Sequence, residues 1–189
     1  MRTQVLFLFA FLGGGLMAQK EPVITIPYDS TSHAFAYSEV VEVGDLGPSV
    51  LYRNAKTWLV SNNGDTTFVD AVLDTKLMDR GVLPVTTIVE SGRLKTPFTS
   101  NVSYTVTLEF KSGRYRYTIN KFCIGGDGTA AAPGMSLETY VKQHESMKAG
   151  KEMMMEQEEQ LCSGLEAEVK KLIDSMKAGV KAPKKTDDW

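Results

Sequence analysis

The chain has 189 residues, of which 42% are hydrophobic, and a formal net charge of −2. This length fits one ordinary domain with an appendage, or one domain with a long terminal helix. A hydrophobic core of that size does not need disulfides for its stability. The small acidic excess argues against nucleic-acid binding, which requires a basic surface.

Residues 1–18 have the three zones of a cleavable secretory signal peptide. Arg2 supplies an early positive charge, an apolar run covers 5–12, and Ala18 is a small residue at the cleavage position. The uncharged stretch is shorter than the roughly 20 residues that span a bilayer, and no later stretch is long enough, so we predict no membrane span. We predict export to the periplasm or cell envelope with cleavage near Ala18; the alternative is a buried N-terminal helix.

The two cysteines, Cys123 and Cys162, leave two alternatives open. In an oxidising compartment they can form a disulfide, and otherwise they are separate buried thiols. Together with the two histidines, His33 and His144, they form no standard zinc spacing. We therefore predict neither a metal site nor a cofactor.

Hydrophobic periodicity predicts a strand, a helix and four more strands between residues 34 and 124, after an N-terminal arm or linker at 19–33. The first strand is expected at 34–43. A helix begins at Gly47-Pro48-Ser49, because proline suits the first turn, and its apolar stripe is Leu51, Ala55, Trp58 and Leu59. The later strands are expected at 66–74, 82–90, 102–110 and Arg114–Ile124. Proline lacks a backbone donor, so Pro84 predicts an edge or a bulge.

The last two strands form the best-determined element of the sequence. A two-residue turn at Ser112-Gly113 sets their register. The turn pairs Lys111 with Arg114, Phe110 with Tyr115, Leu108 with Tyr117, Val106 with Ile119, Glu109 with Arg116 and Thr107 with Thr118. Apolar residues then meet apolar residues on one face, and a one-residue slip would move half of these side chains to the wrong face.

The C-terminal part is expected to be helical. A glycine-rich loop at 125–135 leads to Ser136, which can cap a helix. The helical segment is predicted at 136–180, with a tail at 181–189. Its second stretch has an apolar stripe with steps of three and four residues, at Leu161, Leu165, Val169, Leu172 and Met176.

Three segments carry a resemblance to a known family. They are 37–43 (YSEVVEV), 51–59 (LYRNAKTWL) and the hairpin 106–122, above all KSGRYRYTI at 111–119, and the Asp187-Asp188-Trp189 ending is also similar to that of many members. These segments resemble a family of exported bacterial proteins of unknown function with a fold like that of the TATA-box-binding protein (TBP-like). The resemblance implies an α+β fold: a strand-helix-four-strand antiparallel sheet with helices on one face, plus a long C-terminal helix. It supplies no catalytic residues, and the name of a fold does not imply DNA binding.

Two groups of residues form the candidate interaction surface. Arg114 and Arg116 lie on the polar face of the predicted hairpin, which is otherwise an ordinary solvated sheet face. The run Met153-Met154-Met155 can form an adaptable binding surface, with self-association through the C-terminal helix as the corresponding hypothesis. A set of aromatic residues either lines a ligand pocket or fills the core: Tyr37, Tyr104, Phe110, Tyr115 and Tyr117.

Sequence motifs for catalysis are missing. The sequence contains neither a Gly-x-Ser-x-Gly elbow nor a phosphate-binding loop. We therefore predict no catalytic residues and a non-catalytic envelope module that binds a protein, a glycan or an apolar small ligand. The alternative is a hydrolase acting on envelope or nutrient polymers, which would bring Asp, Glu, His or Ser together in a cleft.

Overall fold

The structure is a computed structural model that describes residues 24–64, 68–91, 94–126, 129, 134–146 and 151–181. The predicted signal peptide, the first part of the predicted arm and residues 182–189 lie outside this range. Side chains at 90–91, 144–146 and 151–155 are also outside the description.

In chain order the strands and helices are β1 (Tyr28–Asp29), β2 (Ala34–Phe35), β3 (Tyr37–Glu42), α1 (Pro48–Asn63), β4 (Asp70–Val72), β5 (Lys76–Ser91), β6 (Leu94–Lys111), β7 (Arg114–Ile124), β8 (Met135–Ser136), α2 (Leu137–Ser146) and α3 (Lys151–Lys181). The order from β3 to β7 is the strand, helix and four strands that the resemblance implies, and α3 is the long C-terminal helix; β1, β2, β8 and α2 are additional to that order. The main antiparallel sheet has the order β3-β7-β6-β5-β4, with β8 added to β7, and β1 and β2 form a separate ribbon. Strand β3 therefore forms one edge of the sheet.

The hairpin prediction is confirmed pair by pair. Strands β6 and β7 pair from Lys111–Arg114 through Val106–Ile119 in the expected register. Gly113 has a φ of 75°, which suits glycine in the turn. Beyond this stretch the register shifts at a bulge between Ser103 and Thr105, beside Lys121 with its φ of 55°. Sequence periodicity did not predict this bulge.

Four predicted strands need correction. The strand expected at 34–43 divides at Ala36, whose N–H donates to the Pro27 carbonyl at 2.9 Å, so β2 pairs with β1 instead. Of the strand expected at 66–74, residues 66–67 lie outside the described ranges, and within 68–74 only β4 is a strand; Asp74 has a positive φ of 58°. The strands expected at 82–90 and 102–110 extend much further, because β5 and β6 pair continuously from Lys76–Glu109 to Ser91–Leu94. Their polar and proline-containing ends are held by this cross-strand pairing, which single-strand periodicity cannot show.

The expectation for Pro84 is confirmed as an edge position. Pro84 pairs with Asn101 of β6, whereas β4 accompanies β5 only as far as Met78. Within the described ranges no other strand pairs with this side of β5, so the missing N–H of proline costs no ladder bond there.

Helices α1 and α3 pack on one face of the sheet, here called the inner face; the opposite side is the outer face. The predicted stripes are confirmed, since Leu51, Ala55, Trp58 and Leu59 of α1 are buried, and so are Leu161, Leu165, Val169, Leu172 and Met176 of α3. The two helices are joined by Trp58, whose Nε1 donates to Ser175 Oγ at 3.1 Å, and by Asn54, whose Nδ2 donates to the Val180 carbonyl at 3.0 Å. Helix α3 thus shares the core of the sheet, as in one domain with a long terminal helix.

The termini of the helices follow their sequence signals. Helix α1 begins after Gly47 with Pro48 at its first position. Ser136 caps α2, because its Oγ accepts from the Thr139 N–H at 3.2 Å. The predicted arm is only partly a linker, since Ile26 is buried in the core and Phe35 N–H donates to Glu138 of α2 at 2.9 Å.

Candidate interaction site

The hairpin β6–β7 positions the predicted arginines by alternation. Tyr115 and Tyr117 are buried on the inner face, and successive side chains of a strand point to opposite sides. Arg114 and Arg116 are therefore held on the outer face, with side chains 53% and 56% exposed. The aromatic residues of the hairpin therefore belong to the core and do not line a ligand pocket, which is one of the two alternatives stated above.

Two rows of side chains cross three strands on this outer face. Pairing of β3 with β7 and of β7 with β6 places Val40, Arg116 and Glu109 in one row. The same pairing places Glu42, Arg114 and Lys111 in the next row, beside the 112–113 turn. Each arginine thus lies at the centre of a row.

The two rows form a shallow concavity with a volume of about 370 Å³, lined by Val40, Glu109, Lys111, Arg114, Tyr115 and Arg116. Val40 is 51% exposed, so its apolar surface faces solvent. The Tyr115 side chain is buried on the inner face behind this concavity, and burial raises the pKa of its phenol to about 12. Both arginines that the sequence singled out belong to this concavity.

The charges of the concavity are unequally paired. Arg116 donates from Nε and Nη2 to the same Glu109 oxygen at 2.8 and 2.6 Å. Arg114 lies 3.9 Å from the Glu42 carboxylate in a solvent-exposed pair, which contributes little. Lys111 forms no ion pair with any residue in the described ranges. The two rows together contain three basic and two acidic groups, a local net charge of +1 in a chain whose net charge is −2.

On the inner face of the sheet, Glu39 connects the edge strand β3 to α3. Its Oε2 accepts hydrogen bonds from Lys177 Nζ at 2.7 Å and from the Tyr117 hydroxyl at 2.8 Å. The hydrogen bond from Lys177 is the main cause that lowers the pKa of the Glu39 carboxyl, and that from Tyr117 adds to it. Burial raises the pKa of Tyr117. These contacts fix β3, and with it Val40 and Glu42, against β7.

The structure does not bring the two parts of the predicted interaction surface together. Gly164 of α3 packs against Val85, and the Ile88 N–H donates to Gln160 at 2.7 Å, so the N-terminal end of α3 runs towards the β5–β6 turn. Met153-Met154-Met155 occupy that end of the helix backbone. The arginines lie beside the opposite end of β6. Self-association through the methionines stays a prediction, because their side chains are outside the description.

Of the two alternatives for the cysteines, the structure has separate thiols, because Cys123 and Cys162 are both free. Cys162 is buried in the apolar stripe of α3, and burial raises its pKa to about 12. Cys123 lies on β7 just after the bulge, with its Sγ 3.6 Å from the Lys121 carbonyl. Burial also raises the pKa of Cys123. The bulge sets the direction in which the Cys123 side chain points. The Cys123 thiol therefore has different neighbours from the Cys162 thiol.

The groups that a hydrolase would use do not meet in the concavity. His33 is exposed in the β1–β2 turn, near Ser32, which donates to Asp29 at 2.7 Å. The His144 side chain lies outside the description. Where side chains are described, no three His, Cys, Asp or Glu residues form a group that could hold a metal ion. No helix of the described part combines the length and hydrophobicity needed to cross a bilayer.

Comparison with known proteins identifies the fold. No known family model matches the sequence, and no curated protein does. The structure is similar to a TBP-like protein from Parabacteroides distasonis, with a TM-score of 0.59 and 11% identity over 84% of this chain and 99% of that chain. The chain has a TBP-like fold. A DUF4468 family protein from Bacteroides ovatus is also similar, with a TM-score of 0.53 and 12% identity over 85% of this chain and 92% of that chain.

The TBP-like fold confirms the α+β prediction, including the antiparallel sheet and the long C-terminal helix. It also agrees with the resemblance to a bacterial family of unknown function. Identities of 11% and 12% show the fold alone, so the TBP-like neighbours assign no role to any residue here. Function has to be argued from the site.

Proposed function

We propose that this protein is a non-catalytic binding module of the cell envelope, which binds another protein through the outer face of its sheet. The observation that supports this proposal is the concavity at Val40, Arg114 and Arg116, which lies on a face that α1 and α3 leave open. Its floor is a paired three-strand segment. A rigid sheet presents such side chains with little loss of entropy on binding.

The chemistry of the concavity favours a protein among the three partner classes. An apolar small ligand needs an enclosed, mostly apolar pocket, whereas this concavity is shallow and four of its lining residues are charged. The aromatic rings of the hairpin point into the core, which leaves them unable to stack on a sugar. Arginine beside an exposed apolar side chain is a composition typical of protein interfaces.

The envelope location rests on residues 1–18, whose charged, apolar and small-residue zones are those of a secretory signal. The two rows of the outer face, with three basic and two acidic groups, then meet their partner outside the cytoplasm. The slight positive charge of the site favours a partner surface of opposite sign, which would raise the association rate and make it salt-dependent.

Site-specific photocrosslinking tests the proposal. A photoreactive amino acid replaces Val40 in the full chain, expressed in a bacterium in which the protein is exported, and a matched variant carries it at Lys171, a position 72% exposed on α3. We expect an adduct with a defined envelope protein from position 40 but not from position 171, and loss of that adduct in the double variant Arg114→Glu, Arg116→Glu. Equal adducts from both positions, or an adduct that survives the double charge reversal, would contradict binding at the concavity.

A further inference from the structure

The part of the β5 edge that β4 does not accompany is covered by single side chains. Asn63 of α1 donates from Nδ2 to the Arg80 carbonyl at 3.2 Å. Further along, the Ile88 N–H donates to Gln160 of α3 at 2.7 Å. Between these positions Pro84 has no N–H to offer. An uncovered strand edge is a template for another strand, and proline and covering elements are means by which proteins block it. The β5 edge is therefore closed to a further strand.

Strand β3 forms the opposite edge of the sheet and has no such cover. The Val43 N–H donates to the Gly113 carbonyl at 2.8 Å, so the odd-numbered residues of β3 direct their backbone groups towards β7. The even-numbered residues direct theirs away from the sheet, and all three are exposed: Ser38, Val40 and Glu42. In the described ranges no strand pairs with this side of β3. A strand of six residues without proline or lysine thus presents an open hydrogen-bonding edge.

A second copy of the chain fits this edge about a twofold axis. Antiparallel pairing centred on Val40 places Val40 opposite Val40 of the second copy and Ser38 opposite Glu42, and each of these pairs exchanges two backbone hydrogen bonds. Centring the pairing on Glu39 or Glu42 would place two carboxylates directly opposite each other, which is unfavourable. Centring it on Ser38 or Val41 would leave an open residue without a partner in β3. The edge is therefore self-complementary about Val40.

The side chains of the outer face support the same register. Val40 is half exposed, and in this pairing its apolar side chain lies beside the same side chain of the second copy. The row that contains Val40, Arg116 and Glu109 is then continued by its twofold image. Two valines at the axis separate the arginines of the two copies, so the basic groups do not meet.

We propose that this protein forms a homodimer by antiparallel pairing of β3 with β3 of a second copy, centred on Val40. The dimer goes beyond the proposed function, because it uses the backbone groups of the strand edge, whereas the envelope partner meets the side chains of the outer face. The two outer faces become one continuous surface. A paired strand edge is a small interface, so the dimer is in a concentration-dependent equilibrium with the monomer.

Sedimentation velocity of the purified full chain over a concentration series tests the dimer. We expect a dimer fraction that rises with concentration. Val40→Lys places two like charges opposite each other at the axis and should raise the dissociation constant about tenfold or more. Val72→Lys is the matched control and should leave the dissociation constant unchanged, because Val72 has the same exposure as Val40 but lies on β4, at the other side of the sheet.

A mixture of two variants tests the position of the axis. Val40→Glu alone should dimerise as poorly as Val40→Lys, but equal amounts of the two should form a heterodimer, because opposite charges then face each other. A chain that stays monomeric at every concentration, a dimer that Val40→Lys leaves intact, or a mixture that stays monomeric would each overturn the inference.

Disulfide trapping gives a second measurement that does not need a charged residue on the strand. Residues that exchange hydrogen bonds across antiparallel strands have Cα atoms about 5.5 Å apart, a separation that a disulfide spans. Val40→Cys in a Cys123→Ser background should therefore form a covalent dimer on mild oxidation, and Val72→Cys in the same background should not. Equal yields from both positions would contradict pairing at β3. Because the purified chain is alone in these experiments, a monomeric result leaves the partner adduct from cells unaffected, and absence of that adduct does not remove the dimer.

Discussion

Glu39 and Lys177 join the edge strand of the sheet to the C-terminal helix through an ion pair of 2.7 Å. The same carboxylate accepts the Tyr117 hydroxyl, and Lys177 Nζ lies 5.8 Å from the centre of the Tyr117 ring. A single carboxylate therefore connects β3, β7 and α3. It sets the position of the strand that carries Val40 and Glu42.

Replacement of this carboxylate gives the first prediction. Glu39→Gln should lower the free energy of unfolding at neutral pH by about 0.5–1 kcal/mol, a small value because both partners are partly exposed. Hydrogen bonding lowers the pKa of Glu39, so its contribution is present above the unfolded carboxyl pKa of about 4.3 and is lost as the pH falls through the lower folded pKa. Urea unfolding at several pH values should show the difference between wild type and variant shrinking in acid.

The exposed pair Lys171–Glu168 on α3 provides a control for this prediction. Its separation is 2.7 Å, but it joins residues three apart on one helix. Glu168→Gln should change the free energy of unfolding by only a few tenths of a kcal/mol. A difference between wild type and Glu39→Gln that stays constant down to strongly acidic pH would contradict the role given to Glu39.

The β6–β7 hairpin could be predicted because its constraints are local. The turn at Ser112-Gly113 and the alternation on both sides fix one register, and the structure has that register. The extensions of β5 and β6 could not be predicted in this way. Polar pairs such as Thr86–Thr99 show no apolar alternation, and they are strand residues only because each has a partner across the hairpin.

The same distinction explains how much of the site could be predicted. Alternation alone places Arg114 and Arg116 on the polar face of the hairpin. Val40 and Glu42 could not be added, because the pairing of β3 with β7 joins residues more than 70 positions apart and both edges of the hairpin are equally plausible neighbours in sequence. The direction of the Cys123 side chain could not be predicted either, because the hydrophobic periodicity of the sequence does not indicate the bulge at Lys121.

The contact between α3 and β5 gives the second prediction. Replacing an exposed helical glycine with alanine usually stabilises a helix by up to about 1 kcal/mol. A Cβ on Gly164 would lie 2.8 Å from Val85 Cγ1, so Gly164→Ala should instead lower the free energy of unfolding by about 1–3 kcal/mol. Thermal and urea unfolding of the full chain measure this change.

Two further variants show whether overpacking is the cause. Ser163→Ala changes the neighbouring exposed position of α3 and should be nearly neutral. In a Val85→Ala background, which removes the clashing methyl groups, Gly164→Ala should cost less than it does alone, a coupling that a double-mutant cycle measures. Additive effects of the two substitutions would refute the proposed contact.

The free cysteines give the third prediction. Native protein treated with an alkylating reagent at neutral pH should label Cys123 slowly and Cys162 only after denaturation, because Cys162 is fully buried and burial raises its pKa to about 12. Mass spectrometry before and after denaturation counts the labelled thiols. A mass lower by two hydrogen atoms, with no labelling under denaturing conditions, would instead show a disulfide in the exported protein.

Residues 1–18 give the fourth prediction, which concerns the compartment. Fused to an enzyme that is active only outside the cytoplasm, they should confer activity on it in a bacterial host, and the full-length protein recovered from that host should begin at Gln19. Leu8→Arg interrupts the apolar run with a charge and should abolish both results, because a charged side chain in this zone is costly to transfer into the membrane. Thr3→Arg adds the same charge in the zone that tolerates it and should leave export intact. The opposite result is unprocessed protein in the cytoplasm, with the same export and processing for both arginine variants. It would favour a buried N-terminal helix and would contradict the envelope location in the proposed function.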